Sequence, residues 1–148
     1  MPTELKDHVA EHLAEVGAER GATTNRPRRC GWLDAVALKY ACQVNGFTDV
    51  IFNKMDVLTG LENIEFATAY KHSDGTQTHH FPWCSQDLES STASYSQTPG
   101  WQTPLPASGK MSELPSAAAQ YIQMVEKFIE TPITWVGTGP NRENALSL

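Results

Sequence analysis

Cysteine is scarce in this chain and odd in number: Cys30, Cys42 and Cys84, with no C-x-x-C spacing. That argues against a disulfide framework and against a structural zinc site. Free thiols in a reducing compartment are the expectation. Long apolar runs are missing too, so no membrane-spanning segment is expected. The start, Met1-Pro2-Thr3-Glu4-Leu5-Lys6-Asp7, has no apolar stretch behind a basic head and does not read as a secretory signal. Excess positive charge is absent: the net charge is −6. A general nucleic-acid or membrane-surface binder is therefore not expected, and an anionic ligand must be met by a local cluster. Nor does the chain contain a Gly-rich phosphate loop ending in Gly-Lys-Ser/Thr. A soluble, cytoplasmic protein is the expectation.

What is present suits one globular domain: 148 residues, 40% hydrophobic and 19% charged, enough to bury a real core. Residues 4–17 place Leu5, Val9, Leu13 and Val16 at helical spacing before Gly17. A second helical pattern covers 32–45, with Trp32, Val36, Tyr40 and Val44 expected on its buried face and Asn45-Gly46 as its stop. Asp49 to Phe52 reads as a short strand that runs into Asn53-Lys54-Met55-Asp56. Ile64 to Tyr70 reads as another, with a hairpin turn at Ser73-Asp74-Gly75 and a returning strand from Thr76 to Phe81. The region 71–112 is expected to be a surface insertion. Its part from 84 to 112, rich in Ser, Thr, Pro and Gln, lacks periodicity and is expected to be an ordered insertion or a mobile loop. Pro115 opens a last helix whose buried face is Ala118, Tyr121, Ile122, Val125, Phe128 and Ile129, and Pro132 stops it. Ile133 to Val136 is a final strand. A mixed α/β class follows.

Three constellations carry chemistry. The first is Asn53-Lys54-Met55-Asp56 at a strand end. Guanine presents two adjacent donors, N1–H and the 2-amino group, and one carboxylate accepts both. Adenine lacks that pair and would leave Asp56 unmatched, at a cost of roughly 1–3 kcal/mol. Lys54 can lay its stem along the base while its ammonium stays wet. Four residues alone are equally compatible with a solvated turn. The second is Gly21-Ala22-Thr23-Thr24-Asn25-Arg26-Pro27-Arg28-Arg29, which joins two hydroxyls and three guanidinium forks, the donors that bind carboxylates and phosphates. Gly21 and Asn25 can take positive φ, and Pro27 stiffens the loop. A basic loop pairing with acidic neighbours is the plainer alternative. The third is Gly137-Thr138-Gly139-Pro140, where two glycines allow close approach to a ligand; a plain turn explains it as well. His79 and His80, on an expected strand, point to opposite faces and do not form a two-ligand metal site together.

Taken in order, PTEL at the start, GATTNRPRRCGWLD at 21–34, NKMDVLTGL at 53–61, Ala69-Tyr70, PGW at 99–101, Leu114-Pro115, Tyr121-Ile122 and GTGPNRE at 137–143 resemble the C-terminal part of the adenylosuccinate synthetases over nearly the whole chain. The GATT-x-RPRR-x-GWLD block is the most specific of these. The resemblance implies the C-terminal part of a P-loop-like, GTP-dependent synthetase fold, with a mixed sheet and flanking helices. It implies GTP-dependent ligation of L-aspartate to IMP, with magnesium on the phosphates. Ala22, Thr23, Thr24, Asn25, Arg26, Pro27 and Arg28 match the loop that receives aspartate beside IMP, with Arg28 also near GTP. Lys54, Met55 and Asp56 match the guanine segment, and Gly137, Thr138 and Gly139 the loop that closes beside the base. Three positions depart from the family pattern: Asn25 for the usual Gly, Arg20 for an aromatic, and Asn141 for an acidic residue. The family's catalytic base, catalytic histidine, phosphate loop and magnesium ligands fall outside this sequence, and the family is homodimeric. The expectation is a fragment with no catalytic residue of its own that does not make adenylosuccinate alone. The alternatives are a non-catalytic guanine-nucleotide or anion-binding module and a purely structural remnant.

Overall fold

Two aspartates decide where the first two helices begin. Asp7 Oδ1 accepts the amides of Val9 and Ala10 at 3.0 and 3.1 Å and caps α1, His8–Val16. Asp34 Oδ1 accepts the Ala37 amide at 3.0 Å and caps α2, Ala35–Asn45. An N-cap side chain satisfies backbone donors that the helix itself leaves without partners. Both helices are therefore shorter at the front than their apolar spacing suggested. The released residues pair elsewhere: Glu4 bridges Gly31, and Leu33–Asp34 form strand β1. α2 ends at Gly46 in the left-handed conformation, as Asn45-Gly46 led one to expect. Its buried side is Ala35, Val36 and Cys42, whereas Tyr40 and Val44 are exposed. The expected face was one that Trp32, already outside the helix, had helped to define.

The computed structural model describes residues 1–147. It contains two four-stranded sheets. In the first, β3, Asn63–Lys71, is central. β1 runs parallel to it at Phe66–Ala67, and β4, Gln77–Thr78, antiparallel at Tyr70–Lys71. On β3 also lies β5, Thr92–Pro99, antiparallel from Asn63↔Pro99 to Lys71↔Thr92. Of the two expectations for 84–112, an ordered insertion or a mobile loop, this part of the segment has regular structure that its sequence had not marked. A six-residue helix α3, Ser85–Ser90, precedes the eight-residue β5. β5 is built from Thr, Ser, Tyr and Gln, whose strand preference is real but whose polarity gives no apolar alternation. The hairpin turn is where it was expected: Gly75 takes φ 86°, and Asp74 Oδ1 accepts from the Thr76 amide at 2.8 Å. The returning strand, however, stops at Thr78. His79 turns its Nδ1 to the Thr68 carbonyl at 2.8 Å and lies outside the strand.

The second sheet has the order β2, β7, β8, β6. β2, Val50–Phe52, and β7, Ile133–Gly137, run parallel, so their C-terminal ends lie side by side. β8, Ala145–Ser147, is antiparallel to β7, and β6, Gly109–Lys110, parallel to β8. Between the sheets runs α4, Ser116–Ile129, with Pro115 at its cap. Its Ala118, Tyr121, Ile122, Val125 and Ile129 are buried as expected, and Phe128 is half-buried. Tyr121 joins the two sheets: its ring centroid lies 5.8 Å from Phe52 on β2 and 5.8 Å from Phe66 on β3. Burial pushes its phenol above the ordinary value. The architecture is α/β with mixed sheets and flanking helices. Among the described residues, no helix is long and apolar enough to cross a membrane.

Candidate functional site

The parallel pairing of β2 and β7 brings two of the three sequence constellations together. Open α/β sheets bind ligands at the carboxyl ends of their strands. Here Asn53-Lys54-Met55-Asp56 leaves β2 and Gly137-Thr138-Gly139 leaves β7 on that same edge. Contact between the loops is direct: a Cβ on Gly137 would stand 2.6 Å from Asn53 Oδ1. The space above Gly139 is filled likewise by Asn144, 2.7 Å from such a Cβ. These glycines are therefore explained first by neighbouring asparagines and not by a ligand. Asn144 also orders the loop, its carbonyl accepting the Thr138 amide at 2.9 Å and its Oδ1 the Asn141 amide at 3.1 Å.

Within the segment 53–56 the four side chains have different fates. Met55 is 1% exposed and belongs to the core. It also lines the cavity that Lys54 borders. Lys54 adopts φ 62°, a conformation that is uncommon for a residue with a Cβ and that clusters at functional sites. Its ammonium donates to the Gly17 carbonyl at 2.9 Å and to Glu19. Asp56 lies in the 3₁₀ turn Met55–Leu58. Its Oδ1 is buried and has no hydrogen-bond partner among the described residues. Thr138 Oγ1, on the other loop, is in the same condition. Buried polar atoms are almost always paired, so each such atom calls for an explanation.

The third constellation is exposed from Ala22 to Arg29. It folds as a tight hairpin: Arg20 bridges Pro27, the Gly21 amide donates to the Arg26 carbonyl at 2.9 Å, and the Asn25 amide to the Gly21 carbonyl at 2.8 Å. Asn25 takes φ 53°. That left-handed conformation is one Asn tolerates better than most residues, which accounts for Asn at a position where Gly is usual. Gly21, by contrast, is not at positive φ. Arg29 pairs with Glu4 at 3.1 Å and Arg28 with Glu19 at 3.0 Å. Among the described residues Arg26 makes no ion pair, and it is exposed together with Thr23 and Thr24.

Glu19 is the residue that the sequence did not reveal. Its Oε2 holds Arg28 and its Oε1 holds Lys54. Hydrogen bonding from Lys54, with a smaller part from Arg28, keeps its carboxyl below the ordinary range against the opposing effect of burial. Glu19, Arg28, Cys30, Asn53 and Lys54 share the wall of a cavity of about 340 Å³ backed by Trp32, Phe52 and Tyr121. Burial, and next Glu19, push the Cys30 thiol up. A larger groove, about 870 Å³, runs past Tyr40, His72, His80 and Trp83. None of the sequence-identified site residues lines it, and the smaller cavity is the one beside the chemistry. The rest of the GWLD block is scaffold: Trp32 is buried, and Asp34 Oδ2 accepts the Tyr70 hydroxyl at 2.6 Å. Burial, then that carboxylate, raises the Tyr70 phenol well above its ordinary value.

Comparison with known proteins bears on the family and the fold. The family model described as adenylosuccinate synthetase matches residues 1–146. The adenylosuccinate synthetase of Yarrowia lipolytica is 45% identical over 99% of this chain and 34% of its own length. The chloroplastic adenylosuccinate synthetase 1 of Sorghum bicolor is 43% identical over 97% and 29%. The solved structure of fully ligated adenylosuccinate synthetase from Plasmodium falciparum superposes with a TM-score of 0.94 at 37% identity, covering 100% of this chain and 36% of that one. The chain thus spans about a third of the length of the relatives it matches. With a family match over almost its whole length and the segments of the resemblance in order, the chain belongs to the adenylosuccinate synthetase family.

Proposed function

We propose that this chain supplies the guanine and aspartate sites of an adenylosuccinate synthetase, the ligase that joins L-aspartate to IMP in purine nucleotide synthesis. One observation carries the reading. The two strand-end loops each bury a polar oxygen without a partner among the described residues, Asp56 Oδ1 and Thr138 Oγ1, at the edge where a base would lie. A carboxylate there suits the paired N1–H and 2-amino donors of guanine and no donor set of adenine. Lys54, its ammonium tied down at Gly17 and Glu19, offers its stem to the base face. Gly137 to Gly139 close the other side of the same edge.

In this reading GTP transfers its γ-phosphoryl group to the 6-oxygen of IMP, leaving GDP. The aspartate amine then attacks C6 and phosphate departs. The chain's part is binding and orientation. Ala22 to Pro27 receive aspartate, with the hydroxyls of Thr23 and Thr24 and the Arg26 guanidinium as donors to its carboxylates. Arg28 faces the GTP side and stabilises anionic oxygen. Magnesium is placed on the phosphates, with its protein ligands expected in the part of the family that this sequence does not cover; among the described residues, no group of three or more His, Cys, Asp or Glu converges. No step is assigned to it in this chain. The three free cysteines suit a reducing compartment such as the cytoplasm. The homodimer of the full-length protein belongs to the same reading.

The test is a calorimetric titration of the 148-residue chain with GDP and with ADP. GDP is expected to bind at least about tenfold more tightly, and Asp56→Asn to remove the difference. Equal binding of both, or binding of neither, overturns the reading. Mixed with IMP, GTP and aspartate, the chain alone is expected to give no adenylosuccinate. Turnover on adding a polypeptide that covers the rest of the family's length separates a ligase part from a non-catalytic nucleotide-binding module.

A further inference from the structure

Among the described residues, Glu19 is the only side chain that pairs with both the loop and the guanine segment. We infer that Glu19 is a positioning residue that ties guanine recognition at Lys54 and Asp56 to the state of the loop 20–28; the inference rests on the function proposed above.

Three observations support the tie. The first is its bonding. Glu19 Oε2 accepts Arg28 Nη1 at 3.0 Å, its backbone carbonyl accepts the Arg28 amide at 3.0 Å, and its Oε1 accepts the Lys54 ammonium. Because Arg20 bridges Pro27, Glu19 and Arg28 form the next pair outward, at the root of the hairpin. The second is the backbone of Lys54. Its φ of 62° is one that a side chain rarely adopts, and the bonds to Glu19 and to the Gly17 carbonyl hold the ammonium of that residue in place. The third is exposure. The Glu19 side chain is 20% exposed, against 58% for Arg28 and 54% for Lys54. The carboxylate is the enclosed member of both pairs, and the cations are the ones a ligand can reach. A base laid on the Lys54 stem shifts its ammonium, and a phosphate drawn to Arg28 pulls that guanidinium from the same carboxylate. Either event is felt by the other partner through Glu19, and such coupling is reciprocal.

The pairs are partly exposed, so the effect is modest: roughly three- to fivefold in affinity. The experiment measures amide hydrogen exchange at Arg28 and Gly21 in the whole chain, with and without GDP, alongside GDP titration and the melting temperature. Glu19→Gln and Lys54→Met are compared with the natural sequence. Without nucleotide, both substitutions are expected to speed exchange at the Arg28 amide. With GDP, the natural chain changes its loop exchange, whereas Glu19→Gln binds three- to fivefold more weakly and transmits little change, at a melting temperature within about 2 °C of the original. A purely structural role would move the melting temperature and leave the GDP-to-ADP ratio alone. Unchanged loop exchange in both variants overturns the tie. Should the natural chain bind no GDP, the functional reading falls, and exchange without nucleotide still decides whether Lys54 and the loop are coupled through Glu19.

Discussion

The guanine segment at 53–56 and the loop at 21–29 meet at Glu19, yet they are held in opposite ways. The guanine segment hangs from the core. Met55 and Val57 are buried, and Phe52 stacks on Tyr121. The loop is exposed from Ala22 to Arg29 and rests on a two-residue bridge, a few turn hydrogen bonds and ion pairs. The difference suits the function proposed above. Choosing guanine over adenine requires a rigid acceptor, because an unmatched carboxylate discriminates only if it cannot move to water. Receiving a small free amino acid requires a loop that opens, and loops drawn from the low-stability end of a structure do so.

The sharpest way to break the comparison is to attack the support of one region and not the other. Tyr121→Ala removes the ring that joins the two sheets. It is expected to cost about 3–5 kcal/mol in denaturant unfolding and to abolish GDP binding with it. Arg26→Ala, in the exposed loop, is expected to stay within about 0.5 kcal/mol of the original. Gly31→Ala is the intermediate case. A Cβ there would stand 1.9 Å from the Thr3 carbonyl oxygen, so the backbone that anchors the loop to the N-terminal segment must shift. A loss of about 1–3 kcal/mol in unfolding free energy is expected. The guanine segment itself separates stability from function at Asp56. Asp56→Asn is expected to weaken GDP by roughly tenfold or more while leaving the melting temperature equal or higher, since the buried oxygen it alters has no partner. If both affinity and stability fall together, Asp56 is a scaffold residue.

How much of this was legible in the sequence follows from what kind of force each part depends on. The last helix was readable because Ala118, Tyr121, Ile122, Val125 and Ile129 recur at helical spacing and burial decides their side. The convergence of 53–56 with 137–139 was only half readable. Each follows a short strand, but that β2 and β7 are parallel neighbours is a long-range fact. β5 was missed because Thr92 to Pro99 pairs through its backbone along β3 and shows no apolar stripe. The faces of α2 were misjudged at Tyr40 and Val44, which at helical spacing lie on the side away from Ala35 and Cys42, the residues that burial selects. Glu19 gave no signal, because its tie to Lys54 spans 35 residues and joins segments with no common period.

The smallest expected effect concerns acid, and it bears on the loop alone. Lys54 first, and Arg28 after it, hold the Glu19 carboxyl below its ordinary value of 4.5 in the folded chain. The folded state thus binds fewer protons than the unfolded one as pH falls through the carboxylate range. The stability contributed by the tie is fully present above that ordinary value and drains away as pH falls through the depressed folded value. Melting temperature is a poor readout. The Asp74 turn weakens in the same range, because the Thr76 hydroxyl and amide hold that carboxyl low too. Exchange at the Arg28 amide, corrected for its intrinsic pH dependence, is local and separates the two. It is expected to quicken in the natural chain below the ordinary glutamate value and to be flat in Glu19→Gln. At 1 M salt, where screening shortens to about 3 Å, the acid step is expected to shrink, because both cations are more than half exposed. An acid step that survives in Glu19→Gln would place the loosening outside the Glu19 carboxylate, and the tie between the loop and residues 53–56 would fall.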